Sequence, residues 1–177
     1  MNKTISTKMT KANIDAVIVI LQEMPGQLEA LARRLSDEEL HIPLGPNQRS
    51  LTQDLGHLIN SEARTAESIH LALLLDEPLA HDIHPERQWG KLLLTDALAF
   101  ADLLAYFSIR RKMLLCLLIS ISDTQWQRVI HQPHKTRKES VYWLARALAL
   151  HEKEHLTDLT HKLSHTKDRL LSTPDNL

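Results

Sequence analysis

Apolar residues recur along this chain at intervals of three and four, the spacing that lines one face of an α-helix, and they do so in four separate segments. In the first, Ile14, Val17, Leu21, Met24, Leu28, Leu31 and Leu35 hold the period. The run Val17-Ile18-Val19-Ile20 could mimic a strand, but the helical period continues past it. Pro25 is expected to kink this helix by removing a backbone donor. Pro43, Gly45 and Pro46 then break the chain, and Ser50-Leu51-Thr52-Gln53 has the form of a capping box opening a second helix that runs to about Leu75. Its stripe is Leu51, Leu55, Leu58, Ile69 and Leu73. A connection from Asp76 to about Leu94, with Pro78, Pro85 and Gly90, is long for a helix hairpin and is expected to cross the bundle. Thr95 is placed to cap a third helix through about Ser120, with Phe100, Leu104, Phe107, Leu114 and Leu118 as its stripe. A polar loop holding Pro133 leads to Ser140, the expected cap of a fourth helix ending near Leu163, and the tail after His165 reads as frayed.

Composition agrees with a helical reading: Gly and Pro total only 4 and 7 and fall mostly between the apolar segments, while Leu and Ala are abundant. Four helices of about 20 to 25 residues, each roughly 30 to 37 Å long, pack most simply as an all-α four-helix bundle with a long connection between helices 2 and 3. The 177 residues suffice for one domain, and no repeat or composition shift marks a second. Met113 to Ile119 is apolar on every side of its helix, so part of it faces something beyond the ordinary core. Either a homodimer interface or burial under the long connection would cover it.

Charge narrows the partners. The 21 basic and 22 acidic residues are well mixed and the net charge is −1, so neither a nucleic-acid footprint nor a polybasic membrane patch is present. A small-molecule partner fits better. No stretch approaches the roughly 20 apolar residues of a membrane span. The single Cys116 cannot form an internal disulfide, and the apolar run Ala16 to Leu21 is too short for a signal sequence, which points to a cytoplasmic protein.

Chemistry concentrates in His151-Glu152-Lys153-Glu154-His155. Two histidines four apart share a helix face, and the segment spells HExxH, the zinc-protease signature. His161 even extends the spacing toward the longer metzincin pattern. That pattern needs a glycine to turn the chain, and here Asp158 stands in its place with Leu159 and Leu163 continuing the helix. At about 100° per residue His161 points roughly 120° away from His155 and cannot close a site. No Met follows Met113 to make the later turn, and no Glu follows Glu154 to act as a distant third ligand. A ferritin-like di-iron reading, from Glu67-x-x-His70 and Glu152-x-x-His155, lacks carboxylates: the third helix has no Glu, only Asp102 and the cap-proximal Asp96. The remaining source for a third ligand is upstream, where the second helix offers His57.

Around His57 the chain Ser50-Leu51-Thr52-Gln53-Asp54-Leu55-Gly56-His57-Leu58-Ile59-Asn60-Ser61-Glu62 resembles the pattern of the DinB/YfiT-like superfamily, a Ser followed seven residues later by His, then Leu and a nearby Glu. The second half agrees, with Phe107-x-x-x-Arg111, Trp126, Pro133, Ser140, His151 eleven residues after that Ser, and His155. The resemblance covers about Asn13 to Leu163. It implies a four-helix bundle holding a divalent metal through His57, His151 and His155, with zinc, nickel or iron all suited to imidazole. It also implies a metal-dependent enzyme, a thiol S-transferase using a low-molecular-weight thiol or a hydrolase. A non-catalytic metal-binding stress protein with a structural ion is the alternative, and a bundle acting without metal is a third.

Three further residues stand out. Asp158 shares the face of His151 and either orients a ligand or is simply solvated. Glu62 and Arg111 each lie inside an apolar stripe and are expected to form a structural ion pair, since an unpartnered buried charge is costly. Arg49 and Arg137 depart from the superfamily pattern, where Trp and Gly are frequent, which bears on pocket shape. Glu152, the general base of the protease motif, has no such role in this reading.

Overall fold

The computed structural model of the chain describes residues 5–81, 97–133 and 136–171, and side chains as far as Ser164. Its long helices are α1 (Lys11–Ala32), α3 (Leu51–Leu74), α4 (Phe100–Ser120) and α6 (Val141–Leu171). Two short helices, α2 (Asp37–His41) and α5 (Asp123–Trp126), and a two-stranded hairpin, β1 (Val129–His131) and β2 (Lys138–Ser140), join them. The architecture is the expected all-α four-helix bundle. Thr10, Ser50 and Ser140 cap α1, α3 and α6 by accepting from Asn13, Gln53 and Trp143 backbone N–H groups.

Several boundaries move. The third long helix begins at Phe100, not after Thr95, which lies outside the described residues along with Pro85 and Gly90. Its N-cap, Ala99, offers no side-chain acceptor, and the Phe100 N–H instead donates to Asp37 Oδ1 of α2 at 2.9 Å. The cap comes from across the fold. The fourth helix runs on to Leu171 rather than stopping near Leu163, and the polar loop before it contains the β1–β2 hairpin, in register Ile130 opposite Glu139. Residues 78–80 extend that hairpin, with Ala80 N–H donating to His131 O and His131 N–H to Pro78 O, each at 2.8 Å.

These contacts fix the course of the chain. The C-terminal end of α3 is held beside the start of α6, because Arg128 Nε donates to Ala72 O while Val141 N–H donates to Arg128 O. The start of α4 is held at the other end, against α2. So α3 and α4 run parallel, and α6 is antiparallel to both. The connection between α3 and α4, expected to cross the bundle, lies largely outside the described residues.

The core falls into two apolar clusters. One gathers Val17, Leu21, Ile69, Leu114, Leu118, Val141, Ala145 and Leu148, the other Met24, Leu28, Leu51, Leu55, Leu58, Phe100, Phe107 and Leu159. Between them every long helix contributes one polar group. Arg111 of α4, 1% exposed, donates from Nε to Glu62 Oε2 of α3 (2.8 Å), from Nη1 and Nη2 to Glu152 of α6 (3.0 and 2.6 Å), and from Nη1 to the Leu21 carbonyl of α1 (2.8 Å). That carbonyl is the one whose helical partner would be the N–H of residue 25, a proline. Arg111 replaces the missing donor.

On α4, Tyr106, Ile109, Met113 and Ile119 are exposed, Met113 by 70%. The connection that would be their alternative cover lies largely outside the described residues.

Candidate metal centre

Four residues of helix carry His151 and His155 through about one turn, so both rings leave α6 on the side facing α3. His57 meets them there. The three offer ligand nitrogens all within 4.8 Å of one another, with His57 Nε2 only 3.1 Å from His151 Nε2, and ring centroids 4.5 to 5.2 Å apart. Each histidine is half-buried. Burial first, then the neighbouring His155, push the His151 imidazole below its ordinary 6.5, which keeps a lone pair available near neutral pH.

Two more groups reach the cluster. Asp54, almost fully buried, places Oδ1 3.7 Å from His155 Nδ1, and Arg49 Nη1 lies 3.3 Å from the same oxygen. Ser61 Oγ is 3.4 Å from His151 Nε2. An acid facing Nδ1 favours the tautomer that leaves Nε2 free as a ligand atom. Asp54 had not been singled out in the sequence, although it sits in the apolar stripe beside Leu51, Leu55 and Leu58. A charge in that position was the available signal.

Asp158, read from the sequence as either orienting a ligand or simply solvated, is the solvated one. Its carboxylate is half-exposed and pairs with Lys162 Nζ at 2.6 Å, so Asp54 is the carboxylate beside the histidines. Glu62 and Arg111 do lie together, Arg111 Nη2 being 2.6 Å from Glu62 Oε2, but the pair is really a triad. Glu152, given no part from the sequence, completes it from the adjacent face of α6. The HExxH letters therefore split by face, with both histidines toward α3 and the glutamate in the core, 0% exposed. A base pointing away from the ligands cannot serve a protease reaction there.

Burial pushes the Glu152 carboxyl up to about 7, against the pull of Arg111, while the two carboxylates outweigh burial at Arg111 and hold its pKa above the ordinary value. Raised above its ordinary 4.5, Glu152 contributes stability that is complete below that pH and lost as pH rises through about 7. His151, lowered, works the other way as pH rises through 6.5, but it does so equally in a Glu152→Gln variant. After chelation of metals, wild type should lose on the order of 1–3 kcal/mol relative to Glu152→Gln between roughly pH 5 and pH 8. Parallel stability curves for the two proteins in urea denaturation would contradict this.

Beside the histidines a cleft of about 770 Å³ opens between α3 and α6. Gln53, His57, Asn60, Ser61 and Thr65 form its polar wall, and Trp143, Leu144, Ala147 and Leu148 its more apolar one. Arg49 and Arg137, the departures noted in the sequence, both line it, and so does Arg64. The Arg137 guanidinium lies over the Trp143 ring, 4.2 Å from its centroid.

Comparison with known proteins shows the family and the fold. Residues 20–159 match the sequence profile of the DinB superfamily. A protein of Bacillus pumilus (strain SAFR-032) named "Putative metal-dependent hydrolase" is 26% identical over 152 residues, 85% of each chain. In fold, YfiT from Bacillus subtilis, described as "a probable metal-dependent hydrolase with an unusual four-helix bundle topology", superposes with a TM-score of 0.80 over 92% of both chains at 19% identity.

Proposed function

This chain belongs to the DinB superfamily, and from that membership we propose that His57, His151 and His155 hold one divalent cation and that the cleft beside them binds a small molecule for hydrolysis at that centre. The donor set fits such an ion. For a metal bound by imidazole nitrogens at about 2.0–2.1 Å in a tetrahedron, the nitrogens stand roughly 3.3 Å apart, near the 3.1 Å of His57 and His151. Three neutral imidazoles also leave the cation's charge uncompensated. Zinc, nickel and iron remain equally suited by ligand type.

The observation that carries an enzymatic rather than a stapling role is the open side of the cluster. Among the described residues no fourth His, Cys, Asp or Glu joins the three, and Asp158, which would have closed the shell, is paired with Lys162. A cation so held supplies Lewis acidity and lowers the pKa of a water or thiol toward neutrality. The chain does the rest. Asp54 and Arg49 steady His155, Ser61 lies against His151, and the cleft walls set a small molecule beside the exposed ligand edge.

Hydrolysis is favoured over thiol transfer by the name of the Bacillus pumilus relative. Zinc-, nickel- and iron-loaded protein, assayed on small amides and esters with and without a low-molecular-weight thiol and an electrophile, should show turnover that falls at least about 100-fold in His155→Ala. Turnover only with the thiol would move the reading to S-transfer. Equal turnover by wild type and His155→Ala would end both.

A further inference from the structure

The cleft is unevenly charged. Among its described lining residues three arginines, Arg49, Arg64 and Arg137, stand against one carboxylate, Glu139. Arg49 is committed near the histidines through Asp54. The other two occupy the far end. Because α3 and α6 are antiparallel, going forward from His57 along α3 and backward from His151 along α6 leads to the same place. Arg64, seven residues on, lies about 10 Å from His57 along the axis, and Trp143, eight residues back, lies about 12 Å from His151.

Each arginine at that end is suited to receive a ligand. Arg64 is exposed at the rim and makes no hydrogen bond or ion pair among the described residues. Arg137 is oriented by stacking on Trp143, while its approach to buried Glu139, Nη2 to Oε1 at 3.4 Å, is long enough to leave donors unused. A guanidinium held flat on an aromatic face loses little further freedom on binding, and its planar fork matches carboxylate and phosphate oxygens. Between this end and the histidines run the apolar side chains of Leu144, Ala147 and Leu148 and the polar ones of Asn60 and Ser61.

We propose that Arg64 and Arg137 form an oxyanion subsite, and that the molecules this cleft takes are small acids whose carboxylate or phosphate group is separated by roughly 10 Å from the bond presented to the histidines. The separation rests on the histidines being the reacting centre, as proposed above; the anion subsite does not. Nothing in the net charge of −1 would suggest it.

The test titrates succinate and, separately, inorganic phosphate into the full chain after chelation of metals, followed by calorimetry or by NMR of the Trp143 indole. At least one anion should bind, about tenfold more weakly to Arg64→Ala or Arg137→Ala, and undetectably to the double variant, with Arg137→Lys between. The tighter anion tells carboxylate from phosphate. Binding that is unchanged in the double variant, that appears only after zinc is added and ignores both substitutions, or that is absent with and without zinc, overturns the subsite. Circular dichroism shows whether the variants fold, and Arg64→Glu, at an exposed position, gives a second route to the same answer. Zinc uptake by wild type is read in parallel, so a failed metal reading shows as no uptake while anion binding persists.

Discussion

Replacing Arg111 with alanine is expected to destabilise the protein by about 3–5 kcal/mol, a large part of the total stability of an ordinary domain. The arginine is the hub of a layer that each long helix enters with one group. Its loss would strand the Glu152 carboxylate, 0% exposed, leave Glu62, 1% exposed, to its longer approach to Arg110 Nε at 3.5 Å, and leave the Leu21 carbonyl without the donor that Pro25 already denies it. Few relaxations are available to a buried Glu152 with apolar clusters on either side, whereas Glu62 can turn further toward Arg110. Protonation of one or both is the main one, so the deficit should be larger at pH 8 than at pH 5. The converse substitution is instructive. Replacing all three together, Glu62→Leu, Arg111→Met and Glu152→Leu, removes the desolvation cost as well as the attraction and should recover most of the loss. In urea denaturation, Glu62→Ala and Arg111→Ala should couple by more than about 1 kcal/mol in a double-mutant cycle. Additivity of those two substitutions would mean that the layer contributes nothing through the pair.

The sequence disclosed part of this layer and concealed the rest for a definite reason. Glu62 and Arg111 were legible because each interrupts an apolar stripe, and a charge there must find a partner. Glu152 interrupts its own stripe in the same way, four residues after Leu148 and seven before Leu159, yet the HExxH letters around it invite a reading as a base. The partner of Arg111 was therefore half identified. The Leu21 carbonyl could not be found at all, since a proline announces a missing donor but not the distant side chain that replaces it.

A similar division runs through the rest of the fold. Ser50 and Ser140 were readable because a capping residue acts on N–H groups three positions along the same chain. Asp37 was not, because it caps α4 from sixty-three residues away, and with a local signal offered by Thr95 the start of that helix was misplaced. The β1–β2 hairpin escaped notice since strands of three residues carry no period to read. At the candidate site, His57, His151 and His155 come together through helix register and antiparallel packing of α3 and α6. Asp54, the carboxylate behind them, was not legible, and Asp158 stayed open between two roles, because register on one helix says nothing of which acid on its neighbour lies closer.

Zinc added to metal-free wild type is expected to stabilise it by about 2.7 kcal/mol at a free concentration one hundred times the dissociation constant, a rise of roughly 5–10 °C in Tm for a chain of this size. The reason is that folding assembles the proposed ligands from α3 and α6, ninety-four residues apart in sequence for His57 and His151, so the unfolded chain offers no comparable site. His57→Ala, His151→Ala and His155→Ala should each abolish the rise while leaving the metal-free protein folded, because all three rings are half-buried at a cleft rather than embedded in the core. Asp54→Asn separates support from ligation. It keeps the side-chain shape but removes the charge facing His155 Nδ1 and releases Arg49, so zinc affinity should fall about 10- to 100-fold without being lost. A thermal shift that survives in all three histidine variants would place the cation elsewhere, and one that is identical in Asp54→Asn would leave Asp54 as a partner of Arg49 alone.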